Sequence, residues 1–133
     1  MKVLVLAAGR SKRMQPVEDK NFLDFLGKSL IRRQLEMVTE CGFSEAVIVG
    51  GAHNIKRLEE EAGKVVGLHV EVIEQKDLEA GMCGAVLAAK DFVKGGSVLI
   101  FSSNDVVEKN AFELVRDCEG SCILGKKVSC YFP

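Results

Sequence analysis

The sequence predicts an α/β domain, a mostly parallel sheet covered by helices on both faces. Three observations carry this. Short apolar runs rich in branched residues, Val3-Leu4-Val5-Leu6, Ala46-Val47-Ile48-Val49, Leu68 to Ile73 and Ser97-Val98-Leu99-Ile100-Phe101, recur as buried strands do. Between them lie segments with helical apolar spacing, so each strand feeds a crossover, right-handed by the general rule. Small or polar turns leave the C-terminal ends of these strands, the edge where open sheets bind ligands.

Taken in order, the first strand opens into Ala7-Ala8-Gly9, a turn of small residues, and then into Arg10-Ser11-Lys12-Arg13. Asn21 to Gly27 carries an apolar alternation through Phe22, Leu23, Phe25 and Leu26, which leads to a helix that Ser29 would cap. Leu30, Ile31, Leu35 and Val38 keep helical spacing until Cys41-Gly42 ends it. The first crossover is therefore strand, long loop, helix. After the second strand, Gly50-Gly51 turns into a helix from about Asn54 to Ala62, mostly charged on its outer face. The third strand exits through Glu74-Gln75-Lys76-Asp77, followed by Gly81 to Ala89, a helix of small residues able to lie close to the sheet or to a ligand. The fourth strand runs into Ser102-Ser103-Asn104-Asp105 and then a helix near Lys109 to Cys118. Cys122-Ile123-Leu124 is expected to begin a fifth strand, with no final helix before Pro133.

The chain of 133 residues suits one domain spanning 1–133, short for a complete two-substrate enzyme. Eighteen basic residues against 19 acidic ones leave a net charge of −1, which gives no global case for nucleic acid or an anionic membrane. Any anion preference is local. No apolar run approaches the roughly 20 residues needed to cross a bilayer, and Met1-Lys2 leads directly into a strand, so a cytoplasmic protein is expected. Cys41, Cys83, Cys118, Cys122 and Cys130 are an odd, scattered set, expected as reduced packing thiols. Cys118 and Cys122, the only close pair, leave a thiol or metal protein built on Cys118, Cys122 and Cys130 as a separate hypothesis.

Three loops on the predicted ligand edge carry the chemistry. Arg10, Lys12 and Arg13, with Lys20 beyond them, crowd cations onto a turn whose small residues leave backbone amides accessible, a combination suited to nucleotide phosphates. Arg13 and Lys20 would stabilise charge at a reacting phosphorus electrostatically. The same residues also suit a solvated surface loop, with Glu18 and Asp19 pairing Lys20. Gln75 carries an amide able to read a base edge and Gly81 would let the base approach the backbone, or Gln75 is a surface loop residue. Asp105 at a strand end either contributes the single carboxylate a magnesium site needs or, with Asn104, caps the next helix. No Ser-His-Asp arrangement, Walker-type loop or dinucleotide-binding glycine pattern is present.

Read together, these loops resemble the sugar nucleotidylyltransferases. Leu6-Ala7-Ala8-Gly9, with Arg13-Met14, is similar to that family's opening motif Leu-Ala-Ala-Gly-x-Gly-Thr-Arg-Met, and Lys20 to the lysine of its Pro-Lys pair. Phe25 to Ile31 resembles Val-x-Gly-Lys-Pro-Leu-Ile, Gln75 the base-reading glutamine, Gly81 to Ala85 the Gly-Thr-x-x-Ala segment, and Asp105 the metal-binding aspartate. The resemblance spans nearly the whole chain. It implies a Rossmann-like, nucleotide-diphospho-sugar transferase fold, incomplete at its C-terminus. It also implies a reaction, transfer of a nucleotidyl group from a nucleoside triphosphate to a sugar phosphate or another phosphorylated alcohol, with release of pyrophosphate. By the same resemblance Leu6, Ala8, Gly9, Ser11, Gln75 and Gly81 would contact the nucleotide, Arg13 and Lys20 would hold its phosphates, and Asp105 would bind Mg2+. A catalytically inactive nucleotide-binding or regulatory module is the alternative. The departures from the pattern are Ser11 for glycine, Lys12 and Met82 for threonine, Asp19 for proline and Asn104 for glycine, and they bear on nucleotide choice more than on fold. Family members run well beyond this length, so the chain is expected to be the nucleotide-binding portion of one domain, with an unfinished sheet edge that would pair with something, a homo-oligomer included.

Overall fold

The structure, a computed structural model, describes residues 1–125. The sheet strands are β1 (Lys2–Leu6), β4 (Glu45–Gly50), β5 (His69–Glu74) and β6 (Val98–Ser102), and a separate small ladder joins β2 (Asp24–Phe25) to β3 (Lys28–Ser29). The helices are α1 (Leu30–Glu40), α2 (Ile55–Ala62), α3 (Gly81–Ala88), α4 (Lys90–Val93) and α5 (Lys109–Arg116). All pairings within the four-stranded sheet are parallel, with Leu6 opposite Val49 on one side and Ser102 on the other, in the order β5-β4-β1-β6. The chain builds outward from β1 to β5, then crosses back to lay β6 on the other flank of β1. That reversal opens a crevice between the loops after β1 and β6.

Alternation along β1 splits the core between two faces. Val3 and Val5, with Ile48 and Leu99, pack under α1, α2 and α5 through Ile31, Leu35, Leu58 and Phe112. Leu4, Val47 and Val49 face Ala85 and Ala89 on the α3 and α4 side. Helices therefore cover both faces, as the sequence predicts. The small side chains of α3 bring that helix down onto the sheet near the crevice.

Local chemistry explains the element ends. Ser29 caps α1, its hydroxyl accepting the Arg32 amide at 3.4 Å. Gly42, at φ +83°, closes the helix in a Schellman turn, its own amide reaching the Thr39 carbonyl and that of Phe43 the Val38 carbonyl. Three features differ from expectation. The long first loop contains the β2–β3 hairpin, turned by Leu26 and Gly27, both at positive φ. The small-residue helix ends at Ala88 and restarts as α4. Cys122-Ile123-Leu124 forms no strand, because the chain passes from α5 into irregular structure there; the rest of the expected fifth strand and Cys130 lie outside the described residues.

Candidate functional site

The crevice is built outward from Ala7. Its amide donates to the Val49 carbonyl at 2.8 Å, and the Ser103 amide donates to the Leu6 carbonyl at 3.0 Å, so the turn leaves the sheet held by both neighbouring strands. Beyond it the amides of Ala8, Gly9, Arg10 and Ser11 donate to no protein acceptor among the described residues. Successive unfilled N–H groups are what an anion's oxygens can occupy. Nothing lies within 4 Å of a Cβ placed on Gly9, which leaves the backbone open to a ligand.

Ser11 takes φ +52°, the left-handed conformation a glycine would adopt most freely. Its hydroxyl accepts the Lys20 amide at 3.0 Å and so ties the two ends of the loop together. The departure at position 11 is thus accommodated by a bond that glycine cannot make. Lys20 makes no ion pair among the described residues, so the expected alternative of pairing with Glu18 or Asp19 is not realised. Asp19 instead caps the short turn carrying Lys20 by accepting the Asn21 amide at 2.9 Å.

Two adjoining hollows share Ala8, Gly9, Lys20 and Leu78. The inner one, about 220 Å³, also meets Leu6, Gln75, Gly81 and Met82. The outer one, about 650 Å³, is bordered by Arg10, Ser11, Lys12 and Arg13, with Glu79 opposite. Lys20 stands at their junction.

Gln75 is buried, at 5% exposure, rather than a surface residue. Its Nε2 donates to the carbonyls of Asp77 at 2.7 Å and Gly81 at 2.9 Å, which fixes the orientation of the amide because only a donor satisfies two carbonyls. Its Oε1 is left for a ligand's donor. Gly84 makes room for this side chain, since a Cβ there would stand 2.7 Å from Gln75 Nε2. Gly81, at φ +58°, has open space where its Cβ would be.

Asp105 lies apart. It is exposed and borders a groove along the outer side of β6, with Phe112 and Val115, while Asn104 before it faces the inner hollow. It does not cap α5, whose N-cap is Glu108 with no side-chain bond. Among the described residues no group of three His, Cys, Asp or Glu side chains is placed to hold a metal. A single exposed carboxylate at the sheet edge suits an ion whose other ligands are phosphate oxygens and water. It does not suit a metal held by protein alone.

Sequence reasoning missed Asn21, Asn54, Ser103 and Gly84. The first three are buried, Asn21 and Ser103 at 1% and Asn54 at 4%, and hydrogen-bonded to one another or to the turn. From sequence Asn54 marks only the approximate start of a helix, and its side chain makes no capping bond to that helix.

A switch-point crevice that joins open turn amides, a lysine and a buried amide side chain defines an α/β domain with a ligand cleft at the carboxyl edge of its parallel sheet. The family model described as the MobA-like NTP transferase domain matches residues 3–112, and the chain belongs to that family. It is 29% identical over 134 residues to the bifunctional sugar-1-phosphate nucleotidylyltransferase/acetyltransferase of Sulfurisphaera tokodaii, covering 97% of this chain and 31% of the relative. It is 30% identical over 112 residues to the N-acetylmuramate alpha-1-phosphate uridylyltransferase of Neisseria meningitidis, covering 80% of this chain and 48% of that one. The inositol-1-phosphate CTP transferase from T. maritima superposes with a TM-score of 0.67 at 23% identity, over 77% of this chain and 42% of that structure, a likeness of fold. The chain spans less than half the length of each of these three.

Proposed function

We propose that this chain supplies the nucleotide-binding side of a cytoplasmic nucleotidylyltransferase that transfers NMP from a nucleoside triphosphate to a sugar phosphate or another phosphorylated alcohol. The observation that carries the reading is the run of unfilled amides from Ala8 to Ser11, beside Lys20 at the junction of an inner and an outer hollow. The inner hollow takes the nucleoside, with Gln75 Oε1 accepting a base N–H and Gly81 bare against the ring. The outer hollow takes the phosphates, with Arg13 and Lys20 as fixed cations. An oxygen of the acceptor's phosphate forms a bond to the α-phosphorus while the bond to the bridging oxygen breaks, and pyrophosphate leaves with that oxygen. Charge grows on the equatorial and leaving oxygens, so the cations act electrostatically and transfer no proton. Asp105 is the residue proposed to hold Mg2+, which when bound supplies further neutralisation of phosphate charge. The names of the sugar-phosphate relatives support the acceptor class, and a homo-oligomer formed through the open sheet edge is part of the same proposal.

The test is calorimetric binding of a panel of nucleoside triphosphates with Lys20→Ala alongside. Loss of one charge-assisted contact is expected to weaken triphosphate binding at least about tenfold and leave the parent nucleoside unaffected. Equal affinity in the variant would overturn the assignment of Lys20. The position of Asp105 outside both hollows favours a second reading, a nucleotide-binding module without turnover. Pyrophosphate release with Mg2+ and a panel of phosphorylated acceptors separates the two.

A further inference from the structure

The segment carrying Lys20 is held from below by side chains that reach neither hollow. Asn54 sits in the loop between β4 and α2, 4% exposed, and spends its whole amide on three bonds. Its Oδ1 accepts the Gly51 amide at 2.9 Å, and its Nδ2 donates to the Ala7 carbonyl at 2.9 Å and to Asp19 Oδ2 at 2.7 Å. The Asp19 side chain is 8% exposed, its other oxygen accepts the Asn21 amide, and His53 Nε2 lies 4.0 Å away. One buried amide therefore grips both the start of the nucleotide turn and the residue before Lys20. The site is closed: a Cβ on Gly50 would stand 3.0 Å from Asn54 Oδ1 and 2.5 Å from Leu58 Cδ1.

The other flank is held as firmly. Asn21 Nδ2 donates to the same Ala7 carbonyl at 3.0 Å, and its Oδ1 accepts from the Ser103 hydroxyl at the end of β6. The Lys20 amide is taken by Ser11. With both neighbours and its own backbone fixed, Lys20 keeps only side-chain freedom.

We propose that Asp19 and Asn54 are positioning residues that set where the Lys20 ammonium meets phosphate, an inference that rests on the phosphate-holding role of Lys20 above. An acidic residue stands here where the sugar nucleotidylyltransferase pattern has proline, and Asp19 has φ −147°, which proline cannot adopt. The couple performs by hydrogen bonding what a rigid ring would do by restricting φ. Breaking it lets the segment shift, and binding energy directed at phosphate falls while the nucleoside hollow, which neither Asp19 nor Asn54 borders, is retained.

The test is calorimetry of the protein with the four ribonucleoside triphosphates and dTTP and with their parent nucleosides, for Asn54→Ala, Asp19→Ser and Lys20→Ala, and for each of the first two combined with Lys20→Ala. Asp19→Ser keeps an oxygen for the Asn21 amide and so carries the test if Asn54→Ala does not fold. Asn54→Ala and Asp19→Ser are expected to weaken triphosphate binding about tenfold, leave nucleoside binding within about twofold, and add nothing to Lys20→Ala. Equal losses for triphosphate and nucleoside, or losses additive with Lys20→Ala, overturn the proposal in favour of a purely structural role. Loss with Lys20→Ala but with neither other variant overturns positioning alone. No loss with Lys20→Ala overturns positioning together with the phosphate-holding role.

Discussion

Gln75 shows how a single side chain acquires a role that its residue type leaves open. A glutamine amide offers two donors and an acceptor, and here both donors are spent on the carbonyls of Asp77 and Gly81, so the side chain presents only its acceptor, which is the atom proposed to meet a base. Gln75→Glu would set a carboxylate against those two carbonyls, costing about 1–3 kcal/mol for the lost buried bonds. Thermal melting would register that loss. Gly84→Ala would act on the same atom from the other side, since its Cβ would fall 2.7 Å from both Gln75 Nε2 and Ala80 Cβ and 3.2 Å from the Asp77 carbonyl. Overpacking of this kind costs about 1–3 kcal/mol. The expected signature is selective: discrimination among bases falls, while affinity for inorganic tripolyphosphate stays. Gln75 was legible in the sequence as an amide at a strand's end. The need for Gly84 was not, because it arises where a helix turn and a loop nine residues earlier are pressed together by tertiary packing.

At the scale of elements, the strands and longer helices were legible because hydrophobic period survives in every stretch that is buried on one side, as Leu30, Ile31, Leu35 and Val38 illustrate. The β2–β3 hairpin was not, because its turn places Leu26, an apolar residue with no turn signature, at φ +54°. What pins α1 to its neighbours is also polar. The Ser29 hydroxyl donates to Glu61 on α2 while capping α1, and Lys28 and Arg32 both reach Glu36. Burial would raise both carboxyls, but hydrogen bonds from Lys64 and Ser29 to Glu61, and from Lys28 and Arg32 to Glu36, hold them below the ordinary value of 4.5. A carboxyl lowered on folding contributes stability that is complete above its unfolded value and is lost as pH falls through the folded one. The melting temperature is therefore expected to fall as pH drops from about 5 toward 3. Glu61→Gln should reduce that slope and cost about 1 kcal/mol or less at neutral pH, read by melts across the acid range.

For the molecule as a whole, alternating strands and helices made the parallel sheet legible, but not the strand order, since period reports which face a residue shares and not which strand lies beside it. The order matters for the site: it puts the crevice between β1 and β6 and sends Asp105 over the outer side of β6. Among the described residues β6 pairs only with β1, and beside its free edge lies an apolar groove of about 720 Å³ bordered by Leu99, Val107, Phe112 and Val115. Ile100 stands on that strand, 43% exposed. An open edge with apolar walls is a template for pairing with another chain, and natural edges resist this with charge. The protein is expected to self-associate in sedimentation velocity as concentration rises through the micromolar range. Ile100→Lys would place a charge on the edge and shift the equilibrium toward monomer. Triphosphate affinity should hold, because Ile100 borders neither ligand hollow. A variant that associates as strongly as the parent would show that contact between copies uses another surface.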